Sequence, residues 1–138
     1  MSRCVFCEIV SGQIPATKVY EDAVALAFMD INPISRGHTL LISKEHFVRV
    51  SEMDAEKYQA MVKVVPGLTE AIIKATAAAG LNVLQNNGRV AGQVVEHLHI
   101  HLIPRYQGDG LGFIWRPKPA QAEELAGLAL KIKSNLGK

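Results

Sequence analysis

Three histidines alternate with apolar residues in one short stretch, and this spacing is the strongest chemical signal in the chain. The stretch runs from His97 to Ile103 and reads HLHIHLI. Because side chains alternate between the two faces of a β-strand, a strand here would place three imidazoles on one face and leucine or isoleucine on the other. Three of the chain's five histidines fall in this stretch, so unrelated surface histidines are a poor explanation.

Two kinds of chemistry fit such a row of imidazoles. Neutral imidazole can attack phosphorus near neutral pH, giving a covalent phosphoramidate that water cleaves, while neighbouring histidines donate hydrogen bonds to the phosphate oxygens. The alternative is a metal ion. In a strand the Cβ atoms of His97 and His101 would lie roughly 13 Å apart, whereas zinc needs ring nitrogens at about 2 Å. Two neighbouring histidines could share a metal but all three would be strained, so we favour the nucleophile.

Local patterns predict the elements that would position these histidines. Strand pairs joined by short turns favour a mainly antiparallel sheet covered by one long helix, which is an α+β fold. The apolar face of the histidine strand would pack on the core, against that helix. The predicted elements are a short helix over Cys4–Val10, strands over Lys18–Glu21, Val24–Asp30, His38–Ser43, Leu81–Asn86 and His97–Pro104, the long helix between Asp54 and Gly80, and a terminal helix over about Ala120–Leu136.

The long helix has a regular apolar face and one interruption. Asp54 is typical of a helix N-cap, and Gly80 would end the helix. Pro66 lies inside the pattern and should kink the helix or remove one of its hydrogen bonds. The apolar residues that recur at helical spacing are Tyr58, Met61, Val65, Leu68 and Ile72.

Composition limits the class of protein. The 138 residues match a single domain over 1–138, and a hydrophobic content of 49% is enough for a core. The net charge of +2 is too balanced to indicate nucleic-acid binding. No apolar run approaches the roughly 20 residues that span a membrane, and the first residues lack the apolar segment of a secretory signal. We therefore expect a cytoplasmic protein that binds neither nucleic acid nor membranes.

The two cysteines, Cys4 and Cys7, form a C-x-x-C motif. A structural disulfide is disfavoured in a cytosolic chain, which leaves a redox pair or half of a zinc site. The redox motif normally follows a strand in a βαβ unit, and no strand is predicted before residue 4. A zinc site would need two more ligands, for which His46 and one histidine of the triad are the candidates.

Three stretches together resemble the HIT (histidine triad) superfamily, namely Phe28–Pro33, Gly37–His46 and above all Gly92–Arg105. The resemblance extends from about Cys4 to Trp115 and is closest to small bacterial HIT proteins near the Hint and Fhit branches. It implies a HIT-like antiparallel sheet and a homodimer, joined through the long helix and a strand edge into one continuous sheet. Trp115 could approach the partner subunit's active site, as a C-terminal aromatic does in related proteins, or pack in the core or the dimer interface.

The resemblance also implies a role for each matching residue. His99 would attack the α-phosphate, His101 would donate to it, and His38 would stand behind both. Each of the other matches has a plain alternative as a turn former or a packing residue, but together with the triad the functional reading is favoured. For the nucleotide, Asp30 would hold the ribose hydroxyls, Phe28 and Ile31 would wall the base, Asn86 and Gln93 would contact the phosphate and leaving group, and Gly92, Val94 and Val95 would complete the site.

In many bacterial HIT proteins a C-x-x-C pairs with a histidine after the Gly-His strand and with the first histidine of the catalytic motif. That similarity implies a structural Zn²⁺ held by Cys4, Cys7, His46 and His97. One departure concerns Val94, because many Hint and Fhit relatives carry serine or threonine there. Valine cannot donate a hydrogen bond to the leaving group, so we expect slower turnover of substrates with poor leaving groups, unless Gln93 or a backbone N–H compensates.

The sequence therefore predicts a nucleotide hydrolase or transferase that acts on purine nucleoside phosphoramidates, nucleotidyl esters or dinucleoside polyphosphates through a nucleotidyl-histidine. Two other hypotheses remain open. A nucleotide-binding regulatory protein would bind monophosphates tightly with little turnover. A zinc-organised interaction module would use the triad only structurally and would not bind nucleotides.

Overall fold

The computed structural model describes residues 3–112 and 116–137, so the position of Trp115 lies outside the described residues. Two short 3₁₀ helices occupy Val50–Glu52 and Arg89–Ala91. The other elements are α1 (Val5–Val10), β1 (Lys18–Glu21), β2 (Ala25–Met29), β3 (Thr39–Ser43), α2 (Ala55–Val62), α3 (Val65–Thr76), β4 (Gly80–Gln85), β5 (His99–Arg105) and α4 (Ala122–Asn135).

The five strands form one antiparallel sheet in the order β1-β2-β3-β5-β4. The histidine-bearing strand β5 is internal, between β3 and β4. Leu40 lies opposite His101 and Ile42 opposite His99 in the register of β3 and β5. This architecture confirms the predicted α+β fold.

Each face of the sheet has its own apolar layer. Leu98, Ile100 and Leu102 belong to a cluster with Met61, against which partly buried side chains of α2 and α3 pack. The opposite face buries a second cluster of α1 side chains with strand residues, namely Phe6, Ile9, Leu26, Phe28, Leu40 and Ile42. The side chains of β5 therefore alternate as predicted: the apolar residues face α2 and α3, and the histidines face α1.

The predicted long helix is divided in two. Asp54 caps α2 as expected, because its carboxylate accepts the N–H of Lys57 at 2.8 Å. The chain then leaves the helix after Val62, and Pro66 lies in the first turn of α3, where a missing N–H costs nothing. The interruption expected at the proline is thus a break rather than a kink.

The end of α3 also differs from the prediction. The helix ends at Thr76 rather than at Gly80, and Ala77 adopts the left-handed conformation with a φ of 57°. Gly80 instead begins β4. Gly80 does not adopt a positive φ, which is the backbone conformation that favours glycine at the end of a helix.

Strand β5 begins at His99, two residues later than predicted. The N–H of Leu98 donates to the carbonyl of Phe47 at 2.6 Å, and the ring of His97 bonds to the Ser43 carbonyl. These contacts join the chain to Ser43, the last residue of β3, and to the loop that follows it, outside the paired register of β3 and β5. His97 therefore precedes the strand, although its ring stays on the α1 side, in edge contact with Phe6.

The terminal helix α4 is exposed along its whole described length. Its apolar stripe of Leu125, Leu128 and Ile132 remains 56%, 48% and 62% exposed. The sheet ends at β4, whose Val83 is also exposed. Among the described helices none combines the length and apolar character needed to cross a membrane.

Candidate active site

The turn before β3 fixes the position of His38. Gly37 has a φ of 93°, and a Cβ there would lie 2.6 Å from Cγ2 of Thr76, so only glycine fits without displacing α3. The N–H of His38 donates to the carbonyl of Ser35 at 3.1 Å. This tight turn delivers His38 to the start of β3, 2% exposed and beside β5.

A chain of hydrogen bonds sets the tautomers of His38 and His101. The backbone N–H of Ile34 can only donate, and it donates to Nδ1 of His38 at 3.1 Å. Neutral His38 must then carry its proton on Nε2, which lies 3.0 Å from Nδ1 of His101 and donates to it. Because Nδ1 of His101 accepts, the proton of His101 is on Nε2. His101 is therefore a hydrogen-bond donor at Nε2.

His99 has the opposite arrangement. Its Nδ1–H donates to the backbone carbonyl of His97 at 2.6 Å, because a carbonyl can only accept. The lone pair of His99 is then on Nε2, which is the state that a nucleophile requires. The ring is 6% exposed and its position is fixed by edge contacts with Phe6 and His101, at centroid distances of 5.2 and 4.9 Å.

The protonation equilibria favour neutral rings. Burial, together with the proximity of His99 and His38, lowers the pKa of His101 from its ordinary value of 6.5 to about 4, although Asp30 opposes the effect. Burial also lowers the pKa values of His38 and His99, although Asp30 opposes the effect at both. At neutral pH the site thus holds uncharged imidazoles, one with a free lone pair and one with a free donor.

These histidines open into a cavity of about 490 Å³, within the range for small-molecule sites. The structure brings together most of the residues expected there. The predicted residues that line the cavity are Phe28, Asp30, Ile31, His38, Gly92, Val94, Val95, His99 and His101.

Asp30 combines its two possible roles. One carboxylate oxygen accepts the N–H of Asn32 at 2.8 Å, which is the turn-forming contact expected of an Asp in this position. The other oxygen lies 3.7 Å from Nδ1 of His38, and the residue also lines the cavity. The carboxylate is therefore available to a ligand while it shapes the loop.

Two predicted contact residues do not line the cavity. Gln93 is 2% exposed; its side chain accepts the N–H of Gly88 and donates to the carbonyl of Val48, both at 2.8 Å. Asn86 donates to the carbonyl of Gly92 at 3.4 Å. Both amides hold the loop that carries Gly92 and Val94, so Gln93 would have to give up two bonds to contact phosphate.

The sequence did not reveal that α1 forms a wall of the cavity. Phe6 packs edge-on against His97, His99 and Phe28. The spacing of Phe6 and Ile9 could have indicated a buried helix face, but the C-x-x-C motif in the same segment indicated metal binding instead. The further lining residues that were not predicted are Val5, Phe6, Ile9, Ile14, Pro15, Ala16, Met29, Asn32, Ile34 and Leu40.

Beside the active site, Cys4, Cys7, His46 and His97 form a cluster in which one ligand atom from each lies within 4.8 Å of the others. Nδ1 of His97 is 3.3 Å from Sγ of Cys4, 3.6 Å from Sγ of Cys7 and 3.2 Å from Nδ1 of His46. The edges of a tetrahedral zinc site with these ligands measure about 3.3–3.8 Å, given the usual bond lengths. The cluster could therefore hold a metal ion.

The Nε2–H of His97 donates to the carbonyl of Ser43 at 2.7 Å, which leaves Nδ1 unprotonated and facing the cluster. The same residue offers its backbone carbonyl to His99. His97 thus contributes its ring to the cysteine–histidine cluster and its main chain to the hydrogen bond that orients His99.

Comparison with known proteins accounts for this arrangement. The protein-family model of the HIT domain matches residues 11–108 of this chain. The chain belongs to the HIT family. It is 42% identical over 134 residues to a Schizosaccharomyces pombe protein named adenosine 5'-monophosphoramidase, covering 96% of this chain and 98% of the relative.

Solved structures of HIT proteins share the fold. A Bacillus subtilis HIT-family crystal structure superposes with a TM-score of 0.93 at 41% identity and covers 99% of both chains. A zinc-bound histidine triad protein from Mycobacterium smegmatis superposes with a TM-score of 0.74 at 39% identity, covering 96% of this chain and 97% of its own.

Proposed function

We propose that this HIT protein is a nucleotide hydrolase that transfers a nucleoside monophosphate to His99 and then to water. The observation that carries the proposal is the pair of opposite tautomers: Nε2 of His99 holds a lone pair and Nε2 of His101 holds a proton. A nucleophile beside a donor is what nucleophilic attack on a phosphate needs.

In the first step, Nε2 of His99 forms a bond to the α-phosphorus, and the bond to the leaving group breaks with its electron pair on the leaving atom. His101 donates from Nε2 to a non-bridging phosphate oxygen, where negative charge increases. In the second step, water attacks phosphorus and gives up a proton to the solvent, the P–N bond breaks, and its electron pair returns to Nε2 of His99. The products are the leaving group and a nucleoside monophosphate.

The proposed substrates are purine nucleoside phosphoramidates, nucleotidyl esters or dinucleoside polyphosphates. Phe28 and Ile31, on the cavity wall, would contact the base, and Asp30 would accept hydrogen bonds from the ribose hydroxyls. Support comes from the apolar wall beside a single carboxylate and from the S. pombe relative, whose name is that of a phosphoramidase.

We also propose that the cysteine–histidine cluster binds Zn²⁺ as a structural ion. A closed structural site has four coordination positions, which would be filled by Cys4, Cys7, His46 and His97. Bound zinc would then link α1 to His97, two residues before β5. The near-tetrahedral spacing of the ligand atoms and the zinc-bound relative support this assignment.

The working unit is proposed to be a single domain over 1–138 that forms a homodimer. The free edge of β4 and the exposed apolar stripe of α4 are surfaces that a second copy could cover. Sedimentation equilibrium tests this part directly, and a monomer at micromolar concentration would contradict it.

The test of function is release of AMP from adenosine phosphoramidate and from diadenosine triphosphate by wild type and by His99→Asn. We expect release by wild type and a loss of at least about a thousandfold in the variant, as for other covalent nucleophiles. Trapping of radiolabelled AMP on wild type alone, after acid-free quenching, would identify the intermediate.

The rival hypotheses give different results in the same experiment. Tight AMP binding without turnover would replace the proposal with the nucleotide-binding regulatory protein. Absence of both binding and turnover, with His99→Asn unfolded, would favour the zinc-organised interaction module.

A further inference from the structure

We propose that the leaving group departs past Val94 and Val95 into an arginine-lined groove, so that this chain prefers substrates with an anionic leaving group. This inference rests on the function proposed above and specifies its substrate class. The leaving group would be a phosphate, pyrophosphate or sulfate moiety, rather than an amine. The groove is defined here by Arg3, Arg49, Arg89 and Glu96.

The groove adjoins the active site. Val94 and Val95 line the catalytic cavity and also a neighbouring cavity of about 360 Å³, which Arg3, Arg89 and Glu96 line as well. Arg89 and Glu96 in turn line a further cavity of about 490 Å³ with Arg49. A leaving group that extends past Val94 and Val95 would therefore lie near guanidinium groups.

Positive charge predominates in this groove. Arg3 pairs with Glu8, and Arg89 lies 3.6 Å from Glu96 while remaining 82% exposed, beyond direct hydrogen-bond distance. Arg49 lies beside the loop, with Nη2 3.4 Å from where a Cβ of Gly88 would stand. Three guanidinium groups thus face two carboxylates, and Arg89 has donors available for an anion.

The side chain at the junction of the cavities fits the same substrate class. An amine must gain a proton as its P–N bond breaks, whereas a phosphate or sulfate leaves when the P–O bond breaks and its oxygen keeps the electron pair. Val94 is 85% exposed and has no proton to donate. Arginines can neutralise an anion as it departs, but they give up no proton at neutral pH.

The test compares two AMP derivatives of similar length: diadenosine triphosphate, whose leaving group is ADP, and an alkylamine phosphoramidate. We expect wild type to have the higher kcat/KM for diadenosine triphosphate. Arg89→Ala should lower that value about three- to tenfold while the phosphoramidate changes less than about twofold, as fits one partly screened charge. Arg89→Lys should retain most of the rate, and Glu96→Gln should raise it.

The matched control is Lys74→Ala, which removes another exposed cation, paired with Glu70 at 2.8 Å, from α3 instead of the groove. It should leave both substrates unchanged. Val94→Thr adds a hydroxyl at the junction and should raise kcat/KM for the phosphoramidate by severalfold relative to kcat/KM for diadenosine triphosphate.

Specific outcomes would overturn the inference. Equal losses on both substrates in Arg89→Ala would show that the arginine supports the loop rather than the leaving group. No loss on either substrate, or a wild-type preference for the phosphoramidate, would also reject it while leaving nucleotidyl transfer intact. Failure of wild type to cleave either compound would instead reject the proposed function, and the inference with it.

Discussion

Two histidine clusters lie side by side in this protein, and they differ in how their ring nitrogens are determined. In the cluster of His38, His99 and His101, which we propose to be catalytic and call the catalytic cluster, groups with one possible role fix every proton. The Ile34 N–H must donate and the His97 carbonyl must accept. In the cysteine–histidine cluster, Nδ1 atoms of His46 and His97 lie 3.2 Å apart with sulfur atoms around them, and a bound cation would satisfy them together.

His97 and His99 show that the main chain selects the chemistry of an imidazole. The main chain takes Nε2 of His97 and leaves Nδ1 for the metal cluster. It takes Nδ1 of His99 and leaves Nε2 for attack. Two residues of the same type, two positions apart, thus keep different ring nitrogens unprotonated because different backbone carbonyls are within reach.

The largest expected effect comes from emptying the cysteine–histidine cluster. Metal present at 100 to 1,000 times its Kd stabilises a fold by about 3–4 kcal/mol, so a chelator or Cys7→Ser should lower the Tm by roughly 10 °C in a chain of this size. Thermal unfolding with and without chelator measures this, with metal content determined in parallel.

The double variant Cys4→Ser/Cys7→Ser is the control, because chelator should shift its Tm no further. Activity should fall together with stability, since displacement of His97 moves the carbonyl that orients His99. A chelator-insensitive Tm in metal-loaded wild type would contradict a structural metal, and unchanged activity after metal removal would show that the two clusters are independent.

A smaller effect is expected when the hydrogen bond that fixes the tautomer of His101 is removed from the catalytic cluster. His38→Leu removes the donor to Nδ1 of His101, so His101 can place its own proton on either nitrogen. We expect kcat to fall about tenfold to a hundredfold, less than for a residue that reacts with the substrate.

His38→Gln is the matched variant because its amide N–H can still donate to His101. It should retain more activity than His38→Leu, and the ¹⁵N shifts of His101 should report one tautomer in wild type and a mixture in the leucine variant. If both variants lose the same activity with an unchanged tautomer, His38 serves packing alone.

The features that the sequence predicted are those determined by local periodicity. Alternation within residues 97–103 placed Leu98, Ile100 and Leu102 in the core opposite the histidines, and Asp54 capped its helix. Such patterns depend only on the geometry of one strand or one helix. The matching stretches around His38 and His99 then indicated the family, which the similarity over residues 11–108 confirms.

The features that the sequence missed depend on contacts between distant segments. The cavity wall formed by Phe6 arises because α1 packs on the far face of β2 and β3. Gln93 braces a loop because the Val48 carbonyl lies beside it. His97 lies before β5 because its ring donates to the carbonyl of Ser43. The spacing of residues within one segment cannot identify contact partners that lie in another segment.

The smallest effect is expected from pH, and it concerns the catalytic cluster again. The pKa of His101 falls from 6.5 to about 4 in the folded protein, so between these values the unfolded chain binds more protons. Stability should therefore be fully present above pH 6.5 and decrease as pH falls toward 4. The slope cannot exceed about 1.4 kcal/mol per pH unit for one proton, and solvent screening of the partly exposed ring reduces it.

Urea unfolding of wild type and His101→Asn between pH 4 and pH 7 isolates this contribution. The charges facing His101 are those of His99, His38 and Asp30, and all three remain in the variant, as do the ligands of the metal cluster. The wild-type free energy of unfolding should therefore fall more steeply with acid than that of the variant. Parallel curves would mean that acid acts through another histidine whose pKa burial lowers, namely His38, His97 or His99.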